Sequence, residues 1–281
     1  MNPKMAFDIG MNNGDDTAYY LHKGFQVVAV EANPQLVEKA TLRFQAELAS
    51  RQLVILNVGI AGKEGSLPFW VCDEHSEWSS FDRNSAARDG CAHHEILVPC
   101  RRFQSIIEEF GAPYYLKVDI EGNDRLCLDD LRNDNLPKYI SVEAADLALL
   151  DSLAELGYTR FKCLSQFLFM TMEIPYSREH RSYEFAERWL KSRSFFVRIF
   201  RRMGGRKYLD GLKIRSRRDD SWIFPEGSSG PFGDGLPGRW LDREEARKAF
   251  KTFQKMMQDG QRSPFWTDKG HSFWVDFHAT K

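Results

Sequence analysis

Apolar residues along this chain fall into short runs separated by stretches with helical spacing. Residues 5–9, 25–30, 53–56, 114–118 and 139–142 read as strands. Between them, Leu36, Ala40, Phe44 and Leu48 recur at four-residue steps, which predicts one helix over residues 34–49. Residues 16–22 and 147–156 read as helices, and residues 158–163 as another strand. Strands alternating with helices predict βαβ units and a mostly parallel sheet with helices on both faces. Ligands in such sheets sit at the carboxyl ends of the strands. Near the C-terminus residues 241–257 predict a helix. Residues 271–280 alternate like a strand, with Trp274, Asp276 and His278 on one face. The resulting division is a core over 1–175, an insertion over 176–269, and a last strand over 270–281 that returns to the core sheet.

Composition bounds this picture without naming a function. The 281 residues can bury a sizeable core, and the net charge of −1 offers no argument for a nucleic-acid partner. No apolar run approaches the length of a membrane span. The start of the chain does not read as a signal peptide. Five scattered cysteines do not suggest a disulfide framework, so a reducing, cytoplasmic setting is the default expectation. The insertion is different in character. Residues 176–218 hold 14 Lys and Arg against 4 Asp and Glu, with Phe185, Trp189, Phe196, Phe200 and Met203 at helical steps. That pattern admits three roles: a solvated helix packed on the fold, a lid for an anionic or lipid-linked acceptor, or a face that lies on an acidic membrane surface. The Gly- and Pro-rich loop after residue 225 could border an acceptor site.

Candidate chemistry concentrates at three strand ends. The first strand runs into FDIGMNNGDD, residues 7–16. Glycines there let the backbone approach a ligand. A dinucleotide site would want G-x-G-x-x-G, whereas this turn has Gly10 and Gly14 among acids. Asp8, Asp15 and Asp16 would repel a pyrophosphate and suit a cationic, phosphate-free cofactor. The second strand ends in VEANP, where Glu31 has the spacing of an acid that accepts both ribose hydroxyls and Asn33 shares the turn. The fourth carries YLKVDIEGND, where Asp119 and Glu121 alternate and could project to one side as cofactor ligands, a base, or, with Glu143, a divalent-cation site. His278 is a further candidate base, with Asp276 on the same face to orient it. Trp78 and Phe81 could face a sulfonium. Cys72 and His75, followed by Cys91, His93 and His94, form a weaker candidate zinc set.

These motifs with SVEA, in this order over roughly residues 6–160, resemble the FkbM family of S-adenosylmethionine-dependent methyltransferases. The resemblance implies a Rossmann-like class I methyltransferase sheet and S-adenosyl-L-methionine as methyl donor. It also implies a small-molecule or glycan hydroxyl as acceptor. On it, Asp8, Gly10, Asn12 and Gly14 form the cofactor loop, Glu31 takes the ribose, and Asp119 and Glu121 lie near the reacting methyl. Ser79 and Ser80 resemble a family serine position in the loop facing the cofactor. Met11, Gln104 and Asn123-Asp124 depart from the usual family residues, and the insertion lies outside the resemblance. Two other functions compete: a nicotinamide-dependent oxidoreductase on the same fold, and a non-catalytic protein that keeps the cofactor fold and docks at anionic surfaces.

Overall fold

A computed structural model of the chain describes residues 2–205, 207–208, 218–225, 227–261, 263, 265 and 274–281. The chain forms two compact units, residues 1–158 with 279–281, and residues 159–278.

The first unit contains β1 (Asn2–Ile9), α1 (Asp15–His22), β2 (Gln26–Val30), α2 (Pro34–Arg43), α3 (Gln45–Ala49), β3 (Leu53–Leu56), β4 (Gly59–Ile60) and β5 (Gly65–Cys72). It continues with α4 (Arg83–Ala86), β6 (His93–Arg101), α5 (Phe103–Phe110), β7 (Pro113–Val118), α6 (Asp124–Asp129), β8 (Tyr139–Glu143) and α7 (Leu147–Glu155). Its main strands neighbour one another in the order β8-β7-β1-β2-β3, all parallel. Ala6, Phe7 and Ile9 of β1 and Tyr115, Leu116 and Val118 of β7 are buried, because helices cover both faces of the sheet. Right-handed crossovers running outward from β1 in one direction and from β7 in the other put their helices on opposite faces. The order reverses between β1 and β7. In parallel sheets of this kind such a reversal parts the outgoing chains, and a ligand crevice is expected at the strand ends.

Two differences from the sequence reading have simple causes. The helix expected over 34–49 breaks at Phe44, whose backbone is not helical (φ −111°, ψ 34°). Phe44 is buried with its ring beneath Gly14, so packing under the first turn outweighs helix continuation. Between β3 and α5 the chain also builds a small sheet, β4-β6-β5, around Phe69, Val71, Val98 and Cys100. In it Cys72 pairs in register with His93, which brings Cys72 and Cys91 together as a disulfide with Cα atoms 6.2 Å apart. This corrects both the expectation of cysteines without a disulfide and the zinc set, since two of its thiols are bonded to each other. Cys100, Cys127 and Cys163 are free and buried.

The second unit contains β9 (Arg160–Ser165), β10 (Met170–Thr171), α8 (Arg178–Lys191), α9 (Phe195–Phe200), β11 (Arg218–Asp219), β12 (Trp222–Ile223), α10 (Arg243–Gln258) and all but the last two residues of β13 (Val275–Thr280). Strands β10, β9 and β13 are neighbours in that order. All six residues of β13 are buried, so its alternation of polar and apolar residues does not separate a wet face from a dry one. The part of the expected tail strand over 271–273 lies outside the described residues. Helix α10 starts from a capping box in which Asp242 and Glu245 each accept the other's backbone N–H. No helix among the described residues is long and apolar enough to cross a membrane.

Candidate active site

The crevice between β1 and β7 is built on close backbone approach. Gly10 leaves β1 with φ +87°, and its N–H and that of Met11 both donate to the Val30 carbonyl at 3.0 Å. A Cβ at Gly10 would stand 1.7 Å from the Asp119 carbonyl oxygen, so no other residue fits without moving one of the two strand ends. Gly14, also left-handed, opens α1 and sits against the Phe44 ring. Asn12 turns the chain at φ 48° and donates its N–H to Glu31 Oε2 at 2.8 Å.

Glu31 is thereby fixed from two sides, because Asn33 N–H donates to its other oxygen at 2.8 Å. A carboxylate has about four acceptor positions, and these bonds leave room for a diol. Burial raises the pKa of Glu31, opposed by the N–H groups of Asn33 and Asn12. Asn33 spends its own side chain capping α2, accepting from Gln35 N–H. It positions Glu31 through its backbone. Asp15, expected among the cofactor ligands, forms an ion pair with Arg43 at 2.8 Å.

At the centre lies Lys117, which the sequence reading passed over. Its ammonium is buried and donates to the Gly10 carbonyl at 3.0 Å. Asp8 Oδ1, Asp16 Oδ2 and Asp119 Oδ2 surround it at 3.2, 3.3 and 3.6 Å. Burial alone would make Lys117 more acidic, but the three carboxylates outweigh it and lift its pKa well above the usual lysine value. Asp8 is held on its other oxygen by the Thr17 hydroxyl at 2.6 Å. Three acids against one base leave the rim with surplus negative charge. That fits a cationic ligand and disfavours a pyrophosphate.

Strand β7 ends at Val118, so the alternation expected of Asp119 and Glu121 does not extend to them; both lie in the turn before α6. Glu121 takes a left-handed backbone (φ 47°) and Asp124 holds that turn, accepting from Ile120 N–H at 3.1 Å and Gly122 N–H at 3.2 Å. A non-glycine residue held there costs of order 1 kcal/mol and marks a position set by its surroundings. Burial first, then the charge of Asp119, pushes the Glu121 carboxyl up to about 7, with Arg88 pulling the other way from 3.4 Å. Burial and Asp119 likewise raise Asp124 to about 6. Asp119 is raised by burial and lowered by Lys117.

The segment between Cys72 and Cys91 meets this rim at three points. The Ser76 hydroxyl donates to Asn12 Oδ1 at 2.9 Å, the Ser80 hydroxyl donates to the Glu121 carbonyl at 2.8 Å, and Arg88 reaches the Glu121 carboxylate. Ser80 is therefore a positioning group for Glu121, whereas Ser79 accepts from Cys72 N–H within its own loop. Trp78 stacks on His75 with ring centres 4.1 Å apart and lies under Arg88. Phe81 packs edge-on to Phe69, within the core of the small sheet.

His278 belongs to the second unit. It is buried on β13, and burial followed by the charge of Lys162 drops its pKa to about 3. An imidazole so shifted stays neutral and is a weak base near pH 7. Asp276 accepts from Gln166 Nε2 at 2.5 Å. Glu143 ends β8, half-buried. Among the described residues no three His, Cys, Asp or Glu side chains are gathered to hold a metal ion.

Lysine within an otherwise apolar strand was the available signal for Lys117: a cation in a buried strand needs anions around it. Arg88 and Asp124 carry no comparable mark: Arg88 lies between α4 and β6, and Asp124 in the first turn of α6, where an acid is commonplace.

Comparison with known proteins places the chain. The sequence profile of the methyltransferase FkbM domain matches residues 8–185, well over half of it. No curated protein matches. Among solved structures, a methyltransferase FkbM from Methylobacillus flagellatus KT is similar at 16% identity and a TM-score of 0.40, over 56% of this chain and 39% of that one. A precorrin-6y C5,15-methyltransferase from Geobacter metallireducens GS-15 aligns at 15% identity and a TM-score of 0.33, over 58% and 66%. The StiE O-MT structure aligns at 10% identity and a TM-score of 0.37, over 99% and 68%. The chain thus spans well under half the length of the Methylobacillus protein.

Proposed function

The chain belongs to the methyltransferase FkbM family, and from that membership we propose that it transfers a methyl group from S-adenosyl-L-methionine to a hydroxyl of a glycan or small-molecule acceptor. The observation that carries the reading is the acidic crevice at the switch point. Asp8, Asp16 and Asp119 crowd one lysine, beside a Glu31 carboxylate clamped by two backbone N–H groups. Glu31 then takes the ribose diol, and the surplus negative charge of the rim holds the ammonium and sulfonium ends.

Such a donor supplies a methyl already activated by positive sulfur, which leaves as a neutral thioether. The chain's part is alignment, exclusion of water and proton removal. A hydroxyl is a weak nucleophile, so as its oxygen bonds to the methyl carbon a base must take its proton. Glu121 suits that role. Its carboxyl sits near 7, so a useful fraction is ionised at neutral pH while its basicity stays well above that of an ordinary glutamate. Ser80 and Arg88 fix its backbone and its side chain. Neutral, buried His278 is the weaker candidate base. A divalent ion bound through Asp119, Glu121 and Glu143 is not needed for this scheme.

Titration calorimetry tests the donor. S-adenosylhomocysteine is expected to bind and NAD not to, and Glu31→Ala should weaken the former about a hundredfold through loss of two charge-assisted hydrogen bonds. Tighter binding of NAD would instead favour the oxidoreductase reading. Methyl-transfer assays on a panel of glycans test the acceptor, and a competent donor site with no turnover on any hydroxyl would favour a non-catalytic protein.

The base makes its own prediction. Because Glu121 must be ionised to accept the proton, kcat should fall about tenfold per pH unit below 7 and level off above it. Arg88 lowers the Glu121 pKa, so Arg88→Ala should move the inflection to higher pH. Glu121→Gln should remove the inflection and cost about 100- to 10,000-fold in kcat. A pH–rate profile that keeps its inflection in Glu121→Gln assigns the proton to another group.

A further inference from the structure

Helices α8 and α9 of the second unit form a surface that the methyl-transfer reading does not use. Phe195 and Phe196 open α9 at 67% and 77% exposure, and Met203 follows it at 81%. These are large apolar side chains left in water next to a cluster of like charges. Arg193, Arg198, Arg201 and Arg202 line a cavity of ≈ 490 Å³ with no carboxylate among its described lining residues. A second cavity of ≈ 470 Å³ is lined by Phe185, Trp189 and Phe200 together with Arg178 and Arg181. The Trp189 and Phe200 rings pack edge to face at 4.8 Å, so this lining is formed between the two helices. Arg201 also donates to the Ser192 carbonyl at 2.7 Å, which ties the C-terminal end of α8 to that of α9.

We propose that this surface docks the protein on an anionic phospholipid membrane. The arginine cavity receives headgroup phosphates while Phe195, Phe196 and Met203 enter the boundary between headgroups and acyl chains. Charge complementarity selects the partner: guanidinium groups pair with phosphate oxygens in a planar, two-bond geometry. Exposed aromatic rings beside a basic cluster are what an interfacial helix presents to lipid. A free phosphorylated small molecule would satisfy the arginines and leave the aromatic side chains in water. The lipid surface satisfies both. The surface lies wholly within the second unit, so its test is independent of the methyl-transfer reading.

The test is co-sedimentation of the full chain with vesicles of phosphatidylcholine, with and without phosphatidylglycerol. Binding is expected only with phosphatidylglycerol, weakening as salt rises. Replacing Arg193, Arg198 and Arg202 together by Gln should reduce partitioning about a hundredfold, at roughly fivefold per basic residue. Phe195→Ser with Phe196→Ser should reduce it about tenfold or more at unchanged charge, from loss of buried apolar area. Unchanged calorimetric binding of S-adenosylhomocysteine, or an unchanged thermal midpoint if that ligand does not bind, reports that each variant is folded. Equal binding to both vesicle types, no binding at low salt, or indifference to the phenylalanines overturns the proposal. Full competition by millimolar inorganic phosphate assigns the cavity to a soluble anion, and tighter capture of an RNA oligonucleotide assigns it to nucleic acid. Either result also overturns it.

Discussion

Lys117→Met is expected to lower the unfolding free energy by about 3–5 kcal/mol at pH 7, the cost of leaving buried charges without their counter-ion. The substitution keeps the volume and apolar stem of the side chain, so packing along β7 is largely preserved. What disappears is the ammonium at 3.2–3.6 Å from Asp8, Asp16 and Asp119 and its bond to the Gly10 carbonyl. The pH dependence separates this cause from lost packing. In the wild type the Lys117 pKa is raised in the folded state, so its stabilisation is fully present below the unfolded lysine value and is lost only as pH climbs through the higher folded value. In the variant the carboxylates repel one another without relief, and the lowering that Lys117 exerts on Asp119 is gone. The folded variant therefore binds protons more readily than the unfolded chain, and its deficit should shrink as pH falls toward 5. Urea unfolding at pH 5, 7 and 8 measures this. A deficit that is constant across that range would show that shape, not charge, is what Lys117 contributes. Adding Asp16→Asn to Lys117→Met should recover part of the loss, since it removes one of the crowded anions.

The same residues show what the chain reveals about itself before folding. Gly10, Glu31 and Asp119 were legible because each closes a strand, and a parallel sheet brings the ends of β1, β2 and β7 to one edge whatever the intervening loops do. The five parallel strands of the first unit were legible for a similar reason, since burial on both sheet faces writes continuous apolar runs, whereas β4, β5 and β6 of the small sheet were not. Pairings between distant segments were not. The Cys72–Cys91 disulfide depends on the β5–β6 register, and Ser80 and Arg88 reach Glu121 through loop geometry that no local pattern encodes. The break at Phe44 belongs to the same class, because helix spacing continues through it and only the ring's place under Gly14 ends the helix. At the C-terminus the period-two signal marked a strand but carried no sign that both its faces are buried. Burial on both faces makes His278 neutral where an exposed histidine would titrate.

Gly10→Ala should be the most damaging small substitution in the first unit, with a loss above about 4 kcal/mol or failure to fold. Two penalties act together. Alanine at φ +87° is strained by of order 1 kcal/mol wherever it occurs. Here its methyl would also stand 1.7 Å from the Asp119 carbonyl oxygen and 2.8 Å from the carbonyl carbon. Both are backbone atoms, so no rotamer change relieves the contact; the ends of β1 and β7 must separate. That separation pulls the Asp119 N–H from the Ile9 carbonyl it bonds at 2.9 Å and opens the ring of acids around Lys117. Gly24→Ala isolates the first penalty. Gly24 has φ +80°, yet nothing lies within 4 Å of its Cβ position, so its cost should stay near 1 kcal/mol. Thermal unfolding of the two variants gives the comparison, and calorimetry with S-adenosylhomocysteine on whatever fraction of Gly10→Ala folds gives the functional half. An affinity within tenfold of the wild type in that fraction would mean the donor is not held where β1 and β7 part. A stability loss no larger than that of Gly24→Ala would mean the two strand ends can yield, and that their close approach is not what shapes the crevice.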